Sequence, residues 1–300
     1  MSAMADKVWG GEMDRFIVTE KCGMLRALGR EVLKGKWKLA FIAVLVYNAA
    51  ISIPAIILAE LFRNAPGISS IYSLLVAGPF YLGYSIFALS VFRNEDAKIG
   101  QIFYGFERFG KSFRLALLIA LYVFLWYLLM IPGIVLTMYR IFFAPLLILL
   151  ACPVFIALIK YSQSFYILAD HPEIGVFECV NRSKRMMAGN KKKFALLYLS
   201  FSGWAILAAI PPAVFAVIGI TSNKAIMSEF SSMNSIQAYQ NFDPTQVFPV
   251  GITLLMVVSS VGMVLLQTYM MAALTAFYDI ASGNLRPGYI ASTAEVISGN

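Results

Sequence analysis

Histidine occurs once in this chain of 300 residues, cysteine three times, and charged residues make up only 13%. Each scarcity closes a class of function. Zinc hydrolysis needs several His, Cys or carboxylate ligands, and His171 is the sole imidazole. Cys22, Cys152 and Cys179 are scattered without metal-ligand spacing and read as free thiols. No phosphate-cradling Walker loop occurs. No myristoylation pattern or C-terminal lipidation box is present, and the long charged leader before Leu39 does not fit a secretory signal. No catalytic residue, cofactor or metal is expected, and the protein is read as not an enzyme.

The scarcity of charge leaves room for its opposite. Hydrophobic residues make up 60% of the chain, and the mean hydropathy is +0.75. A soluble domain needs far more polar surface. Charge-free runs cover 39–59, 64–92, 115–139, 141–159, 194–223 and 244–278. A membrane-crossing helix needs about 20 mainly apolar residues, so each run holds one span. Barrel strands would alternate in hydrophobicity, and these runs do not. The sequence therefore predicts an all-α polytopic membrane protein with spans at 39–59, 71–92, 115–137, 141–168, 194–218 and 250–277. A cytoplasmic segment, 1–38, precedes them and a cytoplasmic tail, 279–300, follows.

Lys and Arg fall unevenly among the connecting segments. Twenty-one lie in 1–38, 93–114, 160–193 and the tail, against Arg63, Arg140 and Lys224 in the others. Basic loops stay inside, so both termini are expected in the cytoplasm. The net charge of +8 then reflects juxtamembrane segments facing anionic lipid and calls for no nucleic acid.

The first, third and fifth spans begin alike: "VLKGKWKLAF", "FERFGKSFRLAL" and "MMAGNKKKFALL". Each has a glycine (Gly35, Gly110, Gly189), basic residues around an aromatic, and then an Ile-Pro pair late in the segment at Pro54, Pro132 and Pro211. This reads as three hairpin repeats. An amphipathic stretch precedes each hairpin, at 20–34, 97–111 and 173–188. These are expected to lie in the interface, apolar side down and basic side toward headgroups. Arg182, Arg185, Lys191, Lys192 and Lys193 are the candidate contacts to anionic lipid.

"YSQSFYILADHPEIGVF", residues 161–177, sets His171 between Asp170 and Glu173. It reads as a turn leaving the membrane, with Asp170 capping the next helix, Pro172 in its first turn and Glu173 at its positive end. Ser200 and Ser202 offer hydroxyls near a glycine, but pairing His171 with Ser202 would need an unusual helix arrangement. Asp170 and Asp279, each at the inner end of a span, read as structural turn residues rather than an aspartyl dyad.

Polar residues within spans mark the alternative, a small-solute or lipid transporter with a site on the fourth and sixth spans. The candidates are Lys160, Gln163, Gln267 and Asn48. In a straight helix Lys160 lies about 12 Å inside the inner end, within snorkelling reach of headgroups. The loop 219–249, with Ile226, Met227, Phe230 and Met233 at helical spacing, reads as a short surface helix or a partner surface.

"FYILADHPEIG", "SKRMMAGNK", "FALLYLSFSGW" and "LWYLLMIPG" together resemble the signature of a bacterial integral membrane family catalogued as a domain of unknown function. That family is distantly similar to the membrane domain of some glycerophosphodiester phosphodiesterases. The resemblance covers most of 25–210. It implies a multi-pass protein of the bacterial plasma membrane and no established activity. His171 stands where Asn is more usual, and the stretch from Gly133 to Tyr161 is longer than the pattern. The function read from all this is organisation of lipids or a membrane protein partner.

Overall fold

The computed structural model describes residues 16–63, 65, 67–139, 144–222, 255 and 258–285. Segments 1–15 and 286–300, and the loop 219–249 from residue 223 onward, lie outside them. The described chain is helical: α1 Cys22–Leu33, α2 Trp37–Leu61, α3 Gly67–Phe92, a 3-10 helix Ile99–Phe106, α4 Phe109–Leu128, α5 Met130–Tyr139, α6 Ala144–Tyr161, α7 Ser164–Asp170, α8 Val176–Met186, α9 Lys191–Leu199, α10 Ser202–Ser222 and α11 Val261–Ala281. Among the described residues six stretches are long and apolar enough to cross a membrane: Trp37–Leu61, Gly67–Phe92, Phe109–Leu128, Leu149–Asp170, Lys191–Ile218 and Val261–Ala281.

Several apolar segments are broken where the sequence suggests one continuous helix. The third pauses at Leu129, two residues before Ile131-Pro132, and Pro132 then stands in the first turn of α5, where no backbone N–H is missed. The fourth breaks at Ser162–Gln163 and the fifth at Ser200–Phe201. Pro54, Pro153, Pro211 and Pro212 remain inside helices.

The chain divides into two compact units. One comprises the described residues up to Tyr198 and from Tyr269 onward; the other runs from Leu199 to Thr268. In the second unit Gly262 of α11 faces Ala208 of α10.

In the first unit burial concentrates at one end of the apolar helices. Phe80, Leu82, Phe87 and Val91 of α3, Ile167 and Leu168 of α7, and Ala273, Phe277 and Tyr278 of α11 are buried, whereas Ile53, Ile56, Leu61, Phe124, Leu125 and Leu129 are exposed. Aromatic pairs tie this end together. Tyr81 meets Phe165, Tyr47 meets Tyr84, Tyr166 stacks on Tyr278, and Phe194 meets Phe277. Such pairs add about 0.5–1.5 kcal/mol each beyond their buried area.

The short helices fold back onto this end. Gln101 Nε2 donates to Ser90 Oγ at 3.2 Å. Further along, Gly83 meets the Ile102 backbone and Gly105 that of Pro79, so the 3-10 helix runs antiparallel along α3. Likewise α8 runs back along α6 and α7, and Ser183 Oγ donates to the Lys160 carbonyl at 2.8 Å. Gly29 of α1 abuts the backbone of Ala272 and Ala273. Leu25, Leu28, Ile102, Cys179 and Val180 are accordingly buried. The inward side of each short helix therefore lies on protein rather than being left free for a bilayer surface. Phe103 and Phe106 of the 3-10 helix meet buried Phe80 of α3 edge-on and stay partly exposed, and Phe177 of α8 is exposed.

Gly35 and Gly189 hold φ of +76° and +94° at the turns that launch α2 and α9, a backbone that favours glycine. Gly110, which the sequence aligns with them, lies inside α4.

Candidate functional site

The ends of α3, α7 and α11 meet in a cluster of charge. Arg93 follows α3, Asp170 is the last residue of α7, and Asp279 lies in the last turn of α11. The Arg93 guanidinium grips Asp170 through both terminal nitrogens, with Nη2 to Oδ2 at 2.8 Å. It also donates to Asp279, with Nη2 to Oδ1 at 2.7 Å and Nε to Oδ2 at 3.3 Å. Tyr278 donates its hydroxyl to Asp170 Oδ2 at 2.9 Å. The three charged side chains are 26%, 12% and 6% exposed.

The electrostatics explain the composition. A helix C-terminus carries partial negative charge, so a carboxylate there is unfavourable on its own and a cation favourable. One guanidinium answers both carboxylates and stands at the end of a third helix. Burial disfavours the charged guanidinium, but the hydrogen bonds to Asp170 and Asp279 outweigh it and hold Arg93 above its ordinary pKa. The planar fork of arginine suits two carboxylates in a way lysine does not.

Asp170 is therefore not the cap of the following helix. Gly175 occupies that position and offers no side-chain cap. Between them Lys111 Nζ donates to the carbonyls of Pro172, Glu173 and Ile174 at 2.6, 3.2 and 3.4 Å. His171 Nδ1 stands 3.4 Å from Glu173 Oε1. A separate contact ties down residues 16–18. Val18 N donates to Asn190 Oδ1, and Asn190 Nδ2 donates to the carbonyls of Phe16 and Met186, all at 2.8–2.9 Å. Asn190→Ala would strand these groups, at about 1–3 kcal/mol per buried group. Limited proteolysis should then cut faster near Glu20–Lys21; an unchanged cutting rate would contradict the contact's role.

The other sequence candidates are spread out. Lys160 lies in the last turn of α6 and Gln163 in the break that follows it. Ser183 of α8 binds the Lys160 carbonyl, so Lys160 stands beside a charged short helix. Gln163 is buried; its Nε2 donates to Ser162 Oγ at 2.9 Å, while its Oε1, like the Ser164 hydroxyl, has no protein partner among the described residues. Asn48 donates to the Val44 carbonyl within α2. Gln267 belongs to the second unit. Arg182 and Arg185 share Glu178 Oε1, at 2.9 and 3.2 Å. Lys193 donates to the Thr19 carbonyl at 3.4 Å, and Lys191 and Lys192 lie at the start of α9.

Cys179 is buried on α8, and burial pushes its thiol up to about 11 from 9.0, against a smaller opposing pull from Arg182. The raised value favours the neutral thiol in the folded state. Its stabilising effect is full below pH 9 and is lost as the pH rises toward 11. Cys179 should react with a maleimide at about pH 8 far more slowly than half-buried Cys22, until the protein is denatured. Equal rates would contradict the burial.

Six apolar stretches among the described residues, with charge gathered where helices end, are the make-up of a multi-pass membrane protein. The family model described as "Protein of unknown function (DUF975)" matches residues 23–284, and the chain belongs to that family. No curated protein matches, and no solved structure does.

Proposed function

We propose that the protein is a non-enzymatic component of the bacterial plasma membrane that organises anionic lipids or a partner membrane protein. The carrying observation is where one set of the described ionisable groups is committed. Arg93, Asp170 and Asp279 bind one another, Lys111 binds three carbonyls, and Glu178 binds two arginines. Such contacts hold helices together; they do not form a nucleophile–base pair or a ligand set.

The same reading takes both termini as cytoplasmic, from the count of Lys and Arg. It also takes the chain as three repeats. Arg93 and Asp170, 77 residues apart, end successive apolar hairpins, a spacing close to that of the glycines. Likeness to the membrane domain of glycerophosphodiester phosphodiesterases belongs to this reading too, supported by the order of the quoted motifs. A transporter remains the second reading, favoured by the buried Gln163 Oε1 and Ser164 hydroxyl at a helix break.

Native mass spectrometry of the protein purified in mild detergent tests the first reading. It predicts a retained anionic lipid or protein partner. A protein that retains neither, and instead moves a solute in proteoliposomes, would replace it with the second.

A further inference from the structure

We propose that Lys160 and Lys184, with Tyr122 and Tyr161, form a binding site for the phosphate of an anionic lipid headgroup. The site rests on the organising role above and gives it a location. Ser183 binds the Lys160 carbonyl at 2.8 Å, which sets α8 against the end of α6. The next residue, Lys184, points its ammonium at two rings, 5.0 Å from the centroid of Tyr122 and 5.6 Å from that of Tyr161. The rings are themselves stacked, with centroids 5.5 Å apart. Three helices, α4, α6 and α8, thus contribute to one place.

The charge there is uncompensated. Among the described residues neither Lys160 nor Lys184 makes an ion pair. Glu178, the acid on α8, is taken by Arg182 and Arg185. Contact with aromatic faces attracts an ammonium but does not neutralise it. Lys184 over the two rings, with Lys160 next to Tyr161 in the chain and held to α8 through its carbonyl, therefore leaves positive charge that an anion would satisfy. The surroundings select a lipid over a free anion. One helical turn from Tyr122, Leu125 and Trp126 are exposed on α4; one turn from Lys160, Ile156 is exposed on α6. The two helices are in contact. A headgroup on the lysines would thus have apolar side chains beside it for its acyl chains. The tyrosines sit between, where an aromatic ring with a polar tip suits a membrane–water boundary.

The test is lipid retention by the full chain, read by native mass spectrometry, with phosphatidylglycerol, phosphatidylcholine and inorganic phosphate as probes. The wild type should retain phosphatidylglycerol over phosphatidylcholine, and inorganic phosphate should not displace it. Lys160→Gln alone should weaken retention roughly fivefold, and K160Q/K184Q roughly twenty- to thirtyfold, at about one such factor per basic side chain. Lys184→Arg should keep most of it, and size-exclusion profiles should show all variants folded. Wild-type retention by K160Q/K184Q would overturn the site while leaving the organising role standing on other contacts. Displacement by inorganic phosphate, with the two lipids held alike, would overturn the lipid assignment. A wild type that retains no lipid would overturn the site, and the absence of any protein partner as well would overturn the organising role with it.

Discussion

Arg93→Leu should destabilise the protein by about 3–5 kcal/mol, the cost of leaving a buried ionic partner uncompensated. The substitution keeps an apolar stem but removes every donor from Arg93 to Asp170 and Asp279. Two carboxylates at two helix C-termini then face each other and the helix dipoles with no cation between them. Tyr278 still donates to Asp170, which is too little to hold a charge. Arg93→Lys should recover only part of the loss, because one ammonium does not bridge both carboxylates with the arginine fork. Thermal unfolding in detergent reads both variants. A midpoint for Arg93→Leu within a degree or two of wild type would mean that the cluster is solvated and carries little.

Gly83→Ala should cost a comparable amount, about 3 kcal/mol, at the upper end of the range for overpacking. A methyl on Gly83 would overlap the Ile102 carbonyl, and one on Gly105 would overlap the Pro79 carbonyl. Both obstacles are backbone, so no rotamer change relieves them. The 3-10 helix would have to lift from α3 and take buried Ile102 with it. On the same 3-10 helix, a methyl added to Gly100 would meet nothing within 4 Å. Gly100→Ala should therefore shift stability by less than about 0.5 kcal/mol. Equal effects at Gly83 and Gly100 would show that the close approach is not what the glycine serves.

The apolar helices were legible because membrane crossing is written in composition: a long uncharged run is visible without knowing its neighbours. Gly35 and Gly189, which the sequence marks only by their shared surroundings, stand at left-handed turns between helices. Gly110 shares that local pattern yet lies in a helix, because a glycine also serves where no left-handed turn is made. The 3-10 geometry of Ile99–Phe106 was hidden, since its apolar spacing also fits an α-helix; its tight seat on α3 is a tertiary fact. The charged cluster was hidden most completely. Arg93 reads as one more basic residue of an inner loop, and its partners are 77 and 186 residues away. Asp170 reads as a helix cap because Asp, Pro and Glu in that order suit a helix start. Only the folded chain shows it ending one helix rather than opening the next.

A double-mutant cycle tests the joining of three helix ends most directly. Stability is measured for wild type, Arg93→Leu, the pair Asp170→Asn with Asp279→Asn, and all three changes together. The structure predicts strong coupling, with the combined variant more stable than the sum of losses by at least about 1.5 kcal/mol, because removing all three charges leaves none uncompensated. Losses that simply add would mean that Arg93 and the two aspartates do not share a site, and would contradict the arrangement of α3, α7 and α11 described above.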